Sequence, residues 1–383
     1  MQKRTMGIHL KSSLLVLVFG LTVSSAWAQG SLVRYVKRVL NDTSSAATSK
    51  LLIFPTAGFA PETSVEIGIR TFSLFYAKKD TVVNRLSEIV LYTFVTFRGQ
   101  FGALLENAAY TNKNRYFFLG RARYQQFPLL YYGIGPSTSS GNPVLVNSNY
   151  VQIRQRILRQ VKNNWYAGAE ADFQNIGRVS FETENKPHFD LPLGYEGSTT
   201  MGLGAAVVYD DRKNVLNVRK GGFLETGILW YQPGFGSDFK YRSVVLDSRL
   251  FRPLGRPNRV LALQLAGTFM TGDIPFNNLG LIGGESLMRG YYLGRYRDKN
   301  VLAGQAEVRW LPFGFSKRWG ATVFAGLGTV SPTIRSFQVD QVRWAAGGGV
   351  RFLFFQKKDV FLRADLGVTR EGTGFYISLG EAF

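Results

Sequence analysis

The sequence predicts an all-β fold, a transmembrane antiparallel β-barrel, and two observations carry this prediction. Apolar and polar residues alternate in segments of about ten residues, as in strands with one face toward lipid and one toward a polar lumen. The 383 residues include 30 Phe and 18 Tyr, whereas only 19% are charged. The mean hydropathy of -0.04 is too low for a helical membrane protein and is typical of a barrel.

The first 28 residues have the composition of a cleaved export signal. Three basic side chains accompany an apolar run at 12–23, and an Ala-Trp-Ala sequence that ends at Ala28 suits signal peptidase. An uncleaved membrane anchor is the alternative, but the run is short for a span and no basic cluster follows it. We therefore expect residues 1–28 to be a signal peptide.

Residues 29–50 are expected to form a periplasmic leader ahead of the barrel. Within this leader, residues 31–40 place apolar side chains on one helical face and basic side chains on much of the remainder. The pattern indicates a short N-terminal amphipathic helix, and a leader without regular structure fits the same residues equally well.

The barrel is expected to span residues 51–383. Short links alternate with long ones along the chain, as periplasmic turns alternate with outer loops in such barrels. The segment 51–111 reads as three or four strands, so an even-numbered wall of about 16 strands fits the length. A soluble β-sandwich would alternate in the same way but would not explain the export signal. The other predicted strands lie near 115–125, 149–161, 163–175, 198–210, 220–232, 239–252, 259–272, 300–312, 319–329, 342–355, 358–370 and 373–383.

The last predicted strand carries a pattern that barrel-insertion machinery recognises. Alternate positions are apolar on one face, with Glu381 as the exception. We interpret this face as a C-terminal insertion signal on a strand that closes the barrel at its own end. Its residues are Phe375, Ile377, Leu379 and Phe383.

The net charge of +20 would suggest nucleic acid for a soluble protein, but an exported chain does not meet the nucleoid. The cations are instead expected to line the lumen or to face lipopolysaccharide phosphates at the outer rim. We predict no enzyme, because the chain has no Cys and its one His beyond the signal, His188, lies in an ordinary loop sequence. No spacing suggests a metal site or a cofactor.

Residues 281–291 read LIGGESLMRGY and lie in a long predicted loop, 273–299. Here the sequence resembles the BamA/TamA-like assembly-factor superfamily, also called the bacterial surface antigen family. Its members carry a double glycine and then an Arg-Gly-aromatic tip on a loop folded back into the lumen. The matching residues are Gly283, Gly284, Arg289, Gly290 and Tyr291.

Three further segments support the resemblance. FAGLGTV at 324–330 and GGGVRF at 347–352 are similar to family segments near the end of the barrel. The family motif at 209–225 is matched in part, since Asp211 replaces a Thr, Lys213 replaces an Asp, and the usual proline is missing. Its matching residues are Asp210, Arg212, Asn214, Lys220 and Gly221.

An arginine on a loop that enters a lumen needs an anionic partner, because a buried guanidinium is costly unless it is paired. Strand alternation places Glu307 inward on the next strand, within reach of Arg289. The family pattern has a second acid inward where this chain has Gly326, and Asp365 on a nearby strand is the expected substitute. The resulting latch either only stabilises the barrel or positions the loop during client insertion.

The resemblance implies an outer-membrane protein of a Gram-negative bacterium that aids the insertion or translocation of outer-membrane or surface proteins. Relatives carry periplasmic POTRA domains, and the 22 residues of 29–50 are too few for one. Any client would then be engaged through a separate periplasmic partner. The other expected partners are outer-membrane lipid, lipopolysaccharide and the client proteins. A passive, anion-preferring diffusion pore and a structural or adhesion barrel are the alternatives.

Overall fold

The computed structural model describes most of the predicted barrel. The described residues are 50–60, 64–126, 128–184, 189–212, 214–215, 217–356 and 359–383. The predicted signal peptide, residues 29–49 of the leader with the predicted amphipathic helix, and His188 lie outside these residues. No helix within the described ranges is both long and apolar enough to cross a membrane.

Strands account for most of the described chain, and they form one antiparallel sheet of seventeen strands and a separate two-stranded hairpin. The strands are β1 (Lys50–Ala60), β2 (Ser64–Tyr76), β3 (Leu86–Thr96), β4 (Phe101–Tyr110), β5 (Tyr116–Gln126), β6 (Leu129–Tyr131), β7 (Val144–Lys162), β8 (Trp165–Phe181), β9 (Ser198–Asp210), β10 (Gly221–Tyr231), β11 (Tyr241–Leu254), β12 (Arg256–Gly272), β13 (Gly280–Ile282), β14 (Tyr296–Asp298), β15 (Asn300–Trp310), β16 (Trp319–Ser331), β17 (Arg343–Phe355), β18 (Val360–Thr369) and β19 (Gly372–Leu379).

The large sheet is an up-and-down meander, in which each strand pairs with its neighbour along the chain. β5 and β6 pair with successive stretches of β7, so the seventeen strands occupy sixteen positions in the wall. β13 and β14 pair with each other in the link between β12 and β15, which are direct neighbours. Among the described residues, no ladder of backbone hydrogen bonds joins β1 with β19.

The predicted all-β fold class is confirmed, and the ambiguous segment 51–111 contains four strands. The largest boundary errors concern β7, which begins earlier than predicted at Val144, and β8, which ends later at Phe181. Both extensions rise above the rest of the sheet into the long loops. The number of strands in a closed barrel stays a prediction, since β1 and β19 are not joined.

The two faces of the wall differ as the alternation predicts. Along β15 every second side chain is buried, whereas those between are partly exposed. The outward face is strongly apolar and solvent-exposed, which is stable only against lipid because monomeric soluble proteins rarely expose large contiguous apolar patches. Exposed outward residues include Leu263, Leu265, Val323, Leu327, Val350, Leu366, Phe375 and Ile377.

The links between wall strands define two ends of the sheet. The loop end has the longest links, which are 127–143, 182–197, 273–299 and 332–342. The short-turn end has the links 77–85, 111–115, 163–164, 211–220, 255, 311–318 and 356–359. The inward loop described below enters from the loop end.

The mouth at the short-turn end is covered by the turn 211–220. Val218 is buried in a cluster with Phe251 and Phe383, on the inner side of the wall. The guanidinium of Arg219 pairs with the Asp359 carboxylate at 2.8 Å, which joins the β9–β10 turn to the β17–β18 turn several strands away. The turn therefore lies across the lumen.

The sequence-based placement of Phe383 on one face with the other apolar residues of the last strand is wrong. β19 ends at Leu379, and Gly380 then adopts a φ of 87°, which turns the chain inward. Phe383 is buried beside Phe251 in the lumen, whereas Phe375 is 65% exposed on the outside. The cause is Glu381, whose carboxylate pairs with an arginine inside the wall and draws the segment 380–383 with it.

Candidate functional site: the inward loop and its ion-pair ring

The loop 273–299 folds into the lumen as a hairpin. β13 and β14 pair at its base, and residues 283–295 form the tip between them. Gly283 has a φ of 116°, and a Cβ there would lie 2.0 Å from the Tyr292 carbonyl oxygen. No other residue type fits this position, because every other side chain begins with a Cβ.

The tip packs on the last strands by backbone contact. A Cβ on Gly367 of β18 would lie 2.5 Å from the Arg289 carbonyl oxygen, so the two backbones touch. The Gly290 N–H donates to the Tyr376 hydroxyl of β19 at 3.0 Å. The Tyr291 hydroxyl donates to the Trp344 carbonyl of β17 at 3.1 Å. The tip is thus fastened to three consecutive strands.

Arg289 lies at the centre of this contact, and its side chain has no exposed surface. Its Nη1 donates to the Asp365 carboxylate at 2.6 Å, and its Nη2 donates to the Glu307 carboxylate. The guanidinium carbon lies 3.6 Å from the centroid of the Phe324 ring, which is a cation–π contact. Both acids that the sequence proposed as partners therefore contact Arg289.

Arg289 is one member of a closed ring of six buried side chains in which positive and negative charges alternate. Three arginines and three acids take part, so the ring is neutral. In order, the ring is Arg289, Glu307, Arg309, Glu381, Arg351 and Asp365, and its remaining N–O distances are 2.7 Å (Arg309–Glu307), 3.7 Å (Arg309–Glu381), 3.0 Å (Arg351–Glu381) and 2.5 Å (Arg351–Asp365). We call this set the ion-pair ring.

The ion-pair ring joins the inward loop and the segment 380–383 to strands with which they form no ladder. Its members come from the loop, β15, β17, β18 and the segment 380–383. Removing six charges from water costs much of what the ion pairs return, so the ring adds less to stability than to the uniqueness of the packing. Removing one member would leave an uncompensated buried charge, which costs far more.

A seventh charged side chain links the ring to the start of the tip. Arg363 of β18 donates to Asp365 at 3.1 Å and pairs with the Glu285 carboxylate at 3.0 Å. The Glu285 carbonyl also accepts a hydrogen bond from this guanidinium at 3.1 Å. Glu285 follows the double glycine directly, so both sides of the tip are held by arginine–acid pairs.

Glycines in the two further motifs make room for the ring. A Cβ on Gly326 would lie 3.1 Å from the Met288 sulfur, so Met288 occupies the space in which the family pattern has an acid. A Cβ on Gly349 would lie 2.0 Å from an Asp365 carboxylate oxygen. The missing acid at 326 is therefore replaced by Asp365 from another strand, and Gly349 admits it.

The partial motif at 209–225 forms a second buried ionic cluster, at the short-turn end. Asp210, the last residue of β9, is fully buried and accepts from Arg212 at 2.9 Å and from the Tyr110 hydroxyl at 3.1 Å. Arg85 of the β2–β3 link also pairs with Asp210, at 2.9 Å. The cluster anchors the base of the turn that covers this mouth.

Sequence reasoning missed four members of the site: Arg309, Arg351, Arg363 and Glu381. Strand alternation places the three arginines on the same faces as Glu307 and Asp365, which was a usable signal. Glu381 was visible as the charged exception in an apolar pattern. Alternation assigns a side chain to a face, however, and does not say which strands meet across the lumen.

These features define a class, a large antiparallel barrel wall with an apolar exterior and a loop latched inside by a buried arginine. A family model for the Omp85 superfamily domain matches residues 95–383, so the chain belongs to the Omp85 superfamily. The resemblance to BamA/TamA-like barrels is thereby confirmed. No curated protein matches the sequence.

Solved structures of this kind are similar in fold. BamA from Haemophilus ducreyi lacking POTRA domains 1–3 is 14% identical with a TM-score of 0.53, over 87% of this chain and 69% of that one. CdiB from Acinetobacter baumannii is 13% identical with a TM-score of 0.52, over 86% and 65%. CdiB from Escherichia coli is 11% identical with a TM-score of 0.53, over 86% and 61%. The chain thus spans less than two thirds of either CdiB.

Proposed function

We propose that this barrel resides in the outer membrane, with the short-turn end toward the periplasm, and aids the insertion or translocation of outer-membrane or surface proteins. Barrels of the Omp85 family are outer-membrane proteins of Gram-negative bacteria, and periplasmic turns are the shorter links of such barrels. The observation that carries the proposal is the junction between β1 and β19, which lacks a ladder among the described residues. We call this junction the seam.

At the seam, β1 and β19 share no backbone ladder within the described residues. An edge strand presents free N–H and C=O groups, which are costly in lipid and can template a new strand. Across the seam, the guanidinium of Arg70 on β2 donates to the Ser378 hydroxyl of β19 at 3.3 Å. Apolar packing also spans the seam, since Leu52 of β1 lies in one buried cluster with Phe355 and Val360 of the last strands. Because it has no backbone ladder, this junction is still the part of the wall that a client strand can open at least cost.

The latch holds only one side of the seam in place. The tip of the loop and the ion-pair ring are fastened to β15–β19, on one side of the seam. The side chain of Arg289 contacts β15, β16 and β18, through Glu307, Phe324 and Asp365. Opening the seam by movement of β1 would therefore leave the latched side in place as a fixed edge.

A crosslink across the seam tests the proposal. Arg70→Cys and Ser378→Cys, joined by a bismaleimide of about the length of the lost arginine side chain, should lock β2 to β19. The parent chain has no Cys, so no other site reacts. We expect the locked protein to fail to complement its own depletion, with loss of specific barrels or surface proteins from the outer-membrane proteome.

A matched crosslink controls for the reagent. Val245 of β11 and Thr268 of β12 are paired inward-facing neighbours away from the seam. A crosslink between cysteines at these two positions should therefore form without loss of complementation. If depletion leaves the outer-membrane proteome unchanged, or if the seam lock complements fully, the assembly function is refuted.

The alternative of an open diffusion pore is not favoured by the packing of the lumen. The loop tip fills it from one end, and the buried residues of turn 211–220 cover it from the other. Purified protein in planar bilayers should therefore show little stable conductance. A large and steady open current would favour the pore instead.

A further inference from the structure

The two ends of the barrel carry opposite exposed charge. Among the described residues at the loop end, eight acids and six cations are exposed: Glu182, Glu184, Asp190, Glu196, Asp238, Asp273, Asp340 and Glu371, against Arg98, Arg178, Lys240, Arg242, Arg335 and Arg370. At the short-turn end, the exposed cations of the described turns are Lys78, Lys79, Lys113, Arg115, Arg159, Lys162, Lys220, Arg252, Arg256, Arg259 and Lys317. We call these eleven side chains the basic rim.

The basic rim is not neutralised within the protein. The acids of the short turns are Asp80, Asp210, Asp211 and Asp359, and each is buried or half-buried. They are used internally, for example by Arg212 on Asp210 and by the backbone N–H groups of Val82 and Val83 on Asp80. No ion pair joins a rim cation to an acid within the described residues. The rim thus needs anions from outside the chain.

The distribution of the rim indicates the kind of anion. Its cations lie on six short turns in succession, from the β2–β3 turn to the β15–β16 turn, so they follow the perimeter and do not form a single patch. Exposed apolar side chains lie on the same turns, with Val82 92% exposed and Phe315 88% exposed. Phe315 is two residues from Lys317, and Trp319 follows it on the outer wall.

We propose that the basic rim binds the anionic phospholipid headgroups of the periplasmic leaflet. Guanidinium and ammonium groups at a membrane surface attract anionic lipid, and neighbouring apolar side chains insert at the headgroup boundary. An acidic protein partner would require a local patch, whereas a lipid leaflet surrounds the whole barrel. This inference depends on the barrel spanning a membrane and does not depend on the assembly function.

Site-selective quenching by brominated lipid tests the proposal on the full chain. A variant that retains Trp319 reports on the rim, and one that retains Trp230 reports on the loop end, with the other tryptophans changed to Phe. Each is folded into phosphatidylcholine vesicles that contain phosphatidylglycerol, with the bromine on one lipid or the other. We expect about twofold stronger quenching of Trp319 by brominated phosphatidylglycerol at low salt, and a ratio near one at ~0.5 M salt. Trp230 should show no preference.

Charge variants separate the rim from the rest of the surface. Arg252→Gln, Arg256→Gln, Arg259→Gln and Lys317→Gln together should abolish the preference at Trp319. Lys240→Gln, Arg242→Gln, Arg335→Gln and Arg370→Gln remove as many cations from the loop end and should leave it intact. Heat-modifiable gel mobility checks folding, and the pair Arg256→Gln with Lys317→Gln serves if the fourfold rim variant does not fold.

Three results would overturn the proposal. The first is a Trp319 ratio near one at low salt in folded protein. The second is a preference that survives the rim substitutions. The third is a ratio near one together with rim-dependent binding of an acidic periplasmic protein, which would assign the rim to a protein partner instead.

Discussion

The ion-pair ring and a second network on the barrel wall, which we call the wall network, differ in what they join. The wall network lies on β7, β8 and β10, where Arg154 and Arg156 contact Glu170 at 2.6 and 2.9 Å. Arg156 also contacts Glu225 on β10. The ion-pair ring, in contrast, joins the inward loop and the segment 380–383 to strands with which they form no ladder.

The difference shows where side-chain charges decide the structure. Strands of the wall network, such as β7 and β8, are already held by a long ladder of backbone hydrogen bonds. Losing a charge there weakens a contact that the backbone maintains. The loop tip has few backbone bonds to the wall, so its position depends largely on Arg289 and its partners.

The largest effect is expected from Arg289→Ala. The change leaves Asp365 and Glu307 facing a cavity, and removing one partner of a buried ionic network costs about 3–5 kcal/mol. We expect urea unfolding in lipid vesicles to show this loss, and planar bilayers to show a new open conductance as the tip leaves the lumen.

Arg154→Ala is the matched change in the wall network. It should lower stability without opening the lumen, because Arg156 still pairs with Glu170. If Arg289→Ala leaves both stability and conductance unchanged, the latch has neither of the roles assigned to it.

Gly349→Ala should have the second-largest effect, because its methyl group would fall 2.0 Å from an Asp365 carboxylate oxygen. Overpacking of this kind typically costs about 1–3 kcal/mol, here by displacing the acid from Arg289 and Arg351. Gly304→Ala on β15 is the control, since the nearest atom to its methyl group would be 3.7 Å away. Equal unfolding free energies for the two variants would contradict this account of Gly349.

Glu381→Gln should cost less, about 1.5 kcal/mol, because Arg351 and Arg309 each keep another acid in the ring. Burial alone would raise the pKa of Glu381, but Arg351 and Arg309 outweigh it and hold the pKa below the ordinary value of 4.5. The stabilisation that ionised Glu381 provides is therefore fully present above pH 4.5. It is lost as the pH falls through the lower pKa that Glu381 has in the folded protein. Unfolding free energies measured from pH 6 to pH 3 should show this loss in the parent, and a smaller pH dependence in the variant. An identical dependence in both proteins would exclude Glu381 as the source.

The smallest effect is expected in the wall network, from Glu225→Gln. Its side chain is 22% exposed, and partly solvated pairs contribute about 0.5 kcal/mol. Because salt screens a partly solvated ion pair, the difference in unfolding free energy from the parent should be small in low salt and smaller still in high salt. A loss as large as that of Arg289→Ala would remove the distinction between the two networks.

Much of the wall was predictable from residue alternation, because a half-buried strand must place every second side chain inward. The strand boundaries were less accurate at β7 and β8, whose ends continue beyond the sheet and lose the lipid-facing pattern. The direction of the chain after Gly380 was not predictable from period two, since a single residue with positive φ ends the alternation.

The site was only partly predictable for a related reason. Arg289, Glu307 and Asp365 were identified because a motif and strand alternation pointed to the same lumen. The other members of the ion-pair ring lie far apart in sequence, and their contacts depend on the curvature of the whole sheet. The pairing of Arg219 with Asp359 across the short-turn mouth is another contact of this kind.

Met288 above Gly326 has a consequence for how relatives of this chain can be recognised. A sequence pattern that requires a carboxylate at position 326 would reject this protein, although the Arg289 guanidinium still contacts two carboxylates. The carboxylate that accepts from Arg289 can come from a different strand, provided that its oxygen atoms reach the same position beside the guanidinium. Searching for coordination of the arginine in three dimensions would therefore retrieve members that a positional signature discards.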